Sequence, residues 1–157
     1  AKEKPKISKI EETNLDDQMV QAYKDGLNEL EKGDAIYAAK KFNEAELLYP
    51  QSVWAPRASL MAAYSYFSQS YYNDAIIEVE RFLEKYKLHE RRDYAYYLLA
   101  YSNFKLGDDS YLYFLDKSDY LAKKSLSKDY DLIKKIDEIL QRHAEDILAF
   151  YCQLRAD

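Results

Sequence analysis

The sequence predicts an all-α protein built of antiparallel helical hairpins stacked side by side. Three observations carry that prediction. Turn formers are scarce, with 3 Gly and 3 Pro in 157 residues, where average usage gives roughly 11 and 8; few turns leave no room for a many-stranded sandwich or barrel. Apolar residues recur at helical rather than strand spacing. Small residues return at a fixed interval of 37, at Gly26, Ala63 and Ala100 and again at Ala38 and Ala75, where they let two antiparallel helices approach closely.

Each element follows in order. Residues 1–13, polar and Lys/Glu-rich with Pro5, read as a flexible lead-in. Asn14 and Asp16 are good N-caps for a helix carrying Met19, Val20, Tyr23, Gly26, Leu27 and Leu30 inward. Lys32-Gly33-Asp34 supplies a C-cap glycine followed by an N-cap aspartate. The second helix, about Ala35 to Leu48, turns Ala38, Ala39, Phe42, Ala45 and Leu48 inward and ends at Pro50. A third starts near Ala55 with Pro56 in its first turn, where the missing N–H costs nothing. A turn at Gln69 to Asn73 leads to a fourth with Ala75, Ile76, Val79, Phe82 and Leu83. A fifth begins at Arg92-Asp93 and ends at Gly107. Beyond it the spacing departs: Leu112, Asp116 and Asp119 fall on the expected small and aromatic sites, so about Asp108 to Ser127 is expected to be an irregular or atypical helix. From Asp129 the 3.6-residue period of Leu132, Ile133, Ile136, Ile139, Leu140 and His143 predicts a long helix, with Ala149 at the small-residue point of a further repeat. The result is one domain over 14–157, with repeats at about 14–51, 52–88 and 89–127 and a partial one at 128–157.

Composition excludes several functions. The net charge of −5 leaves no basic field for nucleic acid. No stretch holds two glycines at the spacing of a phosphate cradle, and no run of 18 apolar residues exists. A single cysteine, Cys152, forms neither an internal disulfide nor a cysteine metal cluster and reads as a small apolar residue. Ala1 to Lys9 has charge but no apolar centre, so no signal peptide is expected there. The outstanding number is aromatic: 17 Tyr, 6 Phe and 1 Trp make up 15% of the chain. Tyrosine joins an apolar body to a polar tip and suits half-buried grooves and interfaces.

A hairpin with Gly26, Gly33, Ala38, Phe42, Ala45 and Pro50 in fixed register resembles the tetratricopeptide repeat. The second repeat matches at Ala63, Tyr66, Tyr72 and Ala75. The fold implied is a short right-handed superhelix of about three and a half repeats. More specifically, Tyr23 to Asp34 (YKDGLNELEKGD), Leu47 to Pro56 (LLYPQSVWAP) and Asp74 to Leu83 (DAIIEVERFL) are similar to the BamD family, together with DYAYYLL at Asp93 to Leu99 and the pair Phe150-Tyr151. Those proteins are lipoproteins of the bacterial outer-membrane β-barrel assembly machinery. The resemblance implies a periplasmic location with an anchor through a lipidated cysteine that would precede Ala1. It implies partners among the barrel-forming subunit and other members of the complex, and binding of unfolded barrel-protein peptides by the N-terminal repeats.

On the repeat pattern the fifth, ninth and twelfth places of each unit line the concave face. They are Tyr23, Leu60 and Tyr97, then Leu27, Tyr64 and Tyr101, then Leu30, Phe67 and Phe104, all apolar or aromatic. Such a groove suits an extended or turn-forming peptide with aromatic side chains. The competing reading is that an aromatic stripe at helical spacing is core. Against it, burying the phenols of Tyr64, Tyr97 and Tyr101 demands three partners. Arg57, at the second place of its repeat, is either a groove-edge cation for a ligand carbonyl or carboxylate, or a solvated helix-start arginine. Leu and Tyr stand where a carboxylate clamp needs Lys and Asn, so that chemistry is not expected. Asp25 and Glu29 read as the solvated face of an N-terminal cap.

No catalytic constellation or cofactor site is expected. His89 lies in a loop, and His143 with Asp146 gives two ligands, too few for a metal. The readings in competition are a substrate-binding subunit of barrel assembly and a generic repeat scaffold joining folded proteins. A weaker third is an enzyme or a nucleic-acid binder using tyrosines as stacking platforms, which the charge opposes.

Overall fold

The computed structural model describes residues 7–126, together with 138, 141–143, 145 and 146. The described residues are helical and turn in character, without a strand. Six helices follow one another: α1 Ile7–Glu31, α2 Ala35–Leu48, α3 Trp54–Ser68, α4 Tyr72–Lys85, α5 Arg92–Lys105 and α6 Tyr111–Leu126. Each packs on its neighbours in sequence, and α3 also meets α5. Three hairpins therefore stand side by side, with α1, α3 and α5 as first helices and α2, α4 and α6 as second helices.

The tight turns show why the period is 37. Each first helix ends in the same six-residue closure, with Asp34 N–H donating to Glu29 O (3.0 Å), Tyr71 N–H to Tyr66 O (3.0 Å) and Asp108 N–H to Asn103 O (2.9 Å). The residue before each donor adopts positive φ: Gly33 at 81°, Ser70 at 64° and Gly107 at 76°. This left-handed cap satisfies helix-end carbonyls and favours glycine. Asp34 then caps α2, its Oδ1 accepting from Tyr37 N–H at 3.0 Å.

Burial follows the small residues. Ala38, Ala63 and Ala75 are fully enclosed, and Ala100 nearly so. Gly26 lies under Phe42, whose ring would be 2.8 Å from an added Cβ. Phe42 and Phe82, both at 0% exposure, anchor successive core clusters, the second shared with Val79, Ala95, Leu98 and Leu99. The smallest side chains occupy the helix crossings and the largest fill the spaces between them, which produces interior density without strain.

Two expectations change. The helix start at Asn14 or Asp16 is displaced: α1 begins at Ile7, and both residues lie within it. Residues Ile7 to Thr13 contain no Gly or Pro, so nothing local stops the helix from extending upstream. The segment from Asp108 to Ser127 is not irregular. It contains the 16-residue helix α6, which buries Leu115, Ser118 and Ala122 and leaves Leu112 49% exposed. Five residues, 106–110, join α5 to α6, where three join the earlier hairpins. The extra length moves the inward face about three places along the chain, which is why counting at 37 placed polar residues on it. The long helix from Asp129, with Ala149, Phe150, Tyr151 and Cys152, lies outside the described residues apart from a few positions.

A polar network that periodicity does not reveal joins the first two hairpins. Glu46 on α2 is 1% exposed. Its carboxylate accepts from Arg81 (Nη2–Oε2 2.8 Å), Lys85 Nζ (2.7 Å) and Tyr86 Oη (2.6 Å). Arg81 Nη2 also donates to Asn43 Oδ1 at 3.0 Å and Ser59 Oγ at 3.2 Å. Burial alone raises the Glu46 carboxyl, but these donors outweigh it and hold the group below the ordinary glutamate range.

Candidate functional site

The face built by α1, α3 and α5 carries a cleft of about 450 Å³. Tyr23 from α1 forms one wall, and Arg57, Leu60, Met61 and Tyr64 from α3 form the floor. The segment leading into α5 closes the other side with His89, Arg91 and Tyr94. Tyr23 is held edge-on by Phe42 (5.1 Å between centroids) and Trp54 (5.4 Å), so a core contact fixes the orientation of a cleft residue. Burial raises the Tyr23 phenol and nearby Arg57 opposes the rise. Burial, then the neighbouring Tyr64 phenol, pushes Tyr94 up to about 12. These tyrosines therefore present neutral hydroxyls at neutral pH.

Two cation–ring pairs flank the cleft. Arg57 lies 5.1 Å from the Trp54 ring centroid, and Arg91 lies 5.8 Å from that of Tyr94. The pairs are three residues apart within a helix turn and 37 residues apart along the chain, with cation and ring exchanged. Between them His89 accepts from Arg91 N–H through Nδ1 at 3.1 Å, which fixes it as the acceptor tautomer. Burial lowers His89 most. Glu90 opposes that shift, and the charges of Arg57 and Arg91 add to it. The imidazole is therefore neutral near pH 7.

Aromatic surface continues from the cleft. Tyr64 approaches Phe67 at 6.4 Å, Phe67 meets Tyr101 edge-on at 5.0 Å, and Tyr72 closes on both at 6.0 and 6.2 Å. Along α5, Tyr94 stacks beside Tyr97 at 6.2 Å. Tyr97 is covered by the chain itself: its hydroxyl donates to Asp146 Oδ2 at 2.6 Å and its ring stacks on His143 at 4.6 Å. Burial first, then the Asp146 hydrogen bond, moves the Tyr97 phenol far above its usual value. His143 Nδ1 in turn lies 3.3 Å from Asp119 Oδ1 on α6. The His143 and Asp146 pair considered for a metal is thus engaged with Asp119 and Tyr97.

Of the ten residues singled out by spacing, Tyr23, Arg57, Leu60 and Tyr64 converge on the cleft. Phe67 and Tyr101 meet in the adjoining aromatic cluster. The remaining four lie elsewhere. Tyr97 is covered as above, Leu27 is 41% exposed outside the cleft lining, Leu30 packs on the Ala38–Phe42 core cluster, and Phe104 stands edge-on to Tyr111 at 5.1 Å. Tyr94, Arg91, His89 and Met61 were not anticipated. Tyr94 stands 37 residues after Arg57, so the same repeat place, read once more, points to it.

The fold and this face define a helical-hairpin repeat protein with an aromatic-lined cleft on one side. The chain belongs to the YfiO family of outer membrane lipoproteins, whose family model matches residues 15–145. It is 32% identical over 83 residues to the outer membrane protein assembly factor BamD of Caulobacter vibrioides, covering 53% of this chain and 27% of that protein. It is 32% identical over 87 residues to BamD of Rickettsia prowazekii, covering 55% of this chain and 35% of that one. The matched stretch thus spans about a third or less of these curated relatives. Among the described residues no helix is long and apolar enough to cross a membrane.

Proposed function

We propose that this chain is a non-catalytic part of the outer-membrane β-barrel assembly machinery that holds unfolded barrel-protein segments against its aromatic face. The hairpins stack as a short right-handed tetratricopeptide superhelix of about three and a half repeats, with α1, α3 and α5 on its concave side. Outer-membrane protein assembly comes from the BamD relatives. The observation that carries peptide binding is the cleft between Tyr23, Tyr64 and Tyr94, continuous with the Phe67–Tyr101 cluster. Its walls are preorganised by ring contacts, so a ligand meets a surface already ordered. At roughly 25 cal/mol per Å² of apolar area, two peptide aromatics supply several kcal/mol before ordering costs, which suits transient holding. The barrel-forming subunit and other assembly proteins are the expected partners. The periplasmic side of the outer membrane is the expected location, with a lipid anchor preceding Ala1.

The test is replacement of Tyr64 and Tyr101 together by Ala, read as binding of a barrel-protein C-terminal strand peptide that ends in an aromatic. Each contact is expected to be worth about 1–2 kcal/mol, with helix content retained. Parent-like binding by the folded double variant would refute peptide capture here. Unfolding would show that these rings are core. A second reading, a scaffold for folded partners, draws on the outer ridge of α6, where Tyr113 and Tyr120 are 59% and 62% exposed; a folded protein whose binding depends on those two tyrosines would favour it.

A further inference from the structure

From the two arginine–aromatic pairs across the cleft, we infer that the face selects segments in which a side-chain carboxylate neighbours aromatic or apolar residues, the carboxylate seating between Arg57 and Arg91. This rests on the peptide-binding reading and adds its charge specificity.

The chain carries −5 overall, yet the cleft is lined by two arginines and no Asp or Glu. Among the described residues neither Arg57 nor Arg91 makes an ion pair. Arg81, on the second helix of the same hairpin as Arg57, is by contrast saturated by Glu46, Glu78, Asn43 and Ser59. His89 between the two cleft arginines is neutral and tied to Arg91 N–H. The charged groups of the cleft lining are therefore the two guanidinium groups, above an apolar floor of Leu60 and Met61, with Glu90 and Asp93 flanking them on the segment that carries Arg91.

Guanidinium geometry supplies the selectivity. A guanidinium over an aromatic ring is weakly hydrated and keeps its in-plane N–H fork for a planar, bidentate acceptor, which a carboxylate is. The apolar floor lowers the local dielectric and strengthens such a contact over one in open water. A ligand with a bare anion forfeits the floor, and a neutral apolar ligand forfeits the arginines. The occupant that uses both is a peptide with an acidic side chain beside apolar or aromatic ones.

The aromatic surface also decides where in the peptide the carboxylate sits. Rings continue from Tyr64 to Phe67 and Tyr101 on one side and from Tyr23 to Trp54 on the other. A chain lying on this surface runs past the arginines in both directions. The group between them is then an internal Asp or Glu, not the chain terminus.

The experiment uses short extended peptides with aromatics flanking a central Glu, Gln or Lys, each with a free and an amidated C-terminus. Fluorescence anisotropy reads binding to the parent, to Arg57→Gln/Arg91→Gln and to Tyr64→Ala/Tyr101→Ala. Both arginines are exposed, and circular dichroism verifies that all variants are folded. The Glu peptide is expected to bind the parent about tenfold more tightly than the Gln peptide and further above the Lys peptide. That ratio should fall to within about twofold in the arginine variant, and amidation should change little. Equal Glu and Gln binding by the parent, with both weakened by the tyrosine variant, would overturn the charge inference and leave peptide capture standing. A Glu preference that survives loss of both arginines would overturn it as well, and so would binding abolished by amidation, which would assign the arginines to a chain terminus. If no peptide binds the parent, peptide capture itself fails and this inference falls with it.

Discussion

Arg81 on α4 grips Glu46 on α2 with two contacts, Nη2–Oε2 at 2.8 Å and Nη1–Oε1 at 3.2 Å, across 35 positions of sequence. The glutamate side chain is 2% exposed and the arginine 38%. The asymmetry matters: Glu46 depends on its partners, whereas Arg81 retains water.

Glu46→Ala is therefore expected to lower stability by about 2–3 kcal/mol, because Lys85 and Tyr86 lose their acceptor together with Arg81. Urea unfolding measures this as a reduced midpoint at unchanged slope. A loss below about 0.5 kcal/mol would show that water replaces the carboxylate without cost.

Acid should weaken the protein in two stages. The folded Glu46 carboxyl sits below its ordinary value of 4.5, so the unfolded chain takes up the proton first. The stability it contributes is complete above about pH 4.5 and drains as pH falls through the lower folded value. His89 is also lowered from 6.5, so protonation of the unfolded chain begins an earlier decline below about pH 6.5. Melting temperature against pH should show both limbs. Glu46→Gln should flatten the lower one and His89→Gln the upper one. An unchanged profile in either variant would contradict its assignment.

Ser70 is the one non-glycine among the three repeat turns and sits at φ 64°. Relief of the left-handed backbone by Ser70→Gly is worth about 1–2 kcal/mol, offset by about 0.5–1 of added unfolded-chain entropy. A net gain of about 0.5 kcal/mol is expected in thermal unfolding. Gly33→Ser and Gly107→Ser should each lose about 0.5–1 kcal/mol, through the same terms reversed. A destabilised Ser70→Gly would mean that the serine side chain contributes more than its backbone costs.

The helix crossings tolerate no extra atoms. A Cβ on Gly26 would meet Phe42 ring carbons at 2.8 and 2.9 Å, and the enclosed ring has nowhere to go. Gly26→Ala, Ala38→Leu and Ala75→Leu are each expected to cost about 1–3 kcal/mol by overpacking. Unchanged melting temperatures would place those residues away from the crossings.

The sequence by itself determined the helical class, the 37-residue period and the positions of the small residues. These depend on local rules: 3.6-residue periodicity, left-handed caps at Gly33 and Gly107, and the exclusion of bulk where helices cross. It also marked Tyr23, Arg57, Leu60 and Tyr64, because the second, fifth and ninth places of the repeat share one helix face. Tertiary structure decided the rest. A longer connection before Tyr111 shifted the inward face of α6 to Leu115, Ser118 and Ala122, which a fixed period cannot express. Glu46 reads as a surface residue of an amphipathic helix until Arg81, 35 positions later, is brought beside it. Tyr97 reads as a groove residue until Asp146 takes its hydroxyl. Arg91 and Tyr94 become a wall of the cleft only when the segment leading into α5 closes on α3. Periodicity fixes which side of a helix faces inward. Which partner waits there depends on loop length and on contacts far apart in the chain, and only the folded chain specifies both.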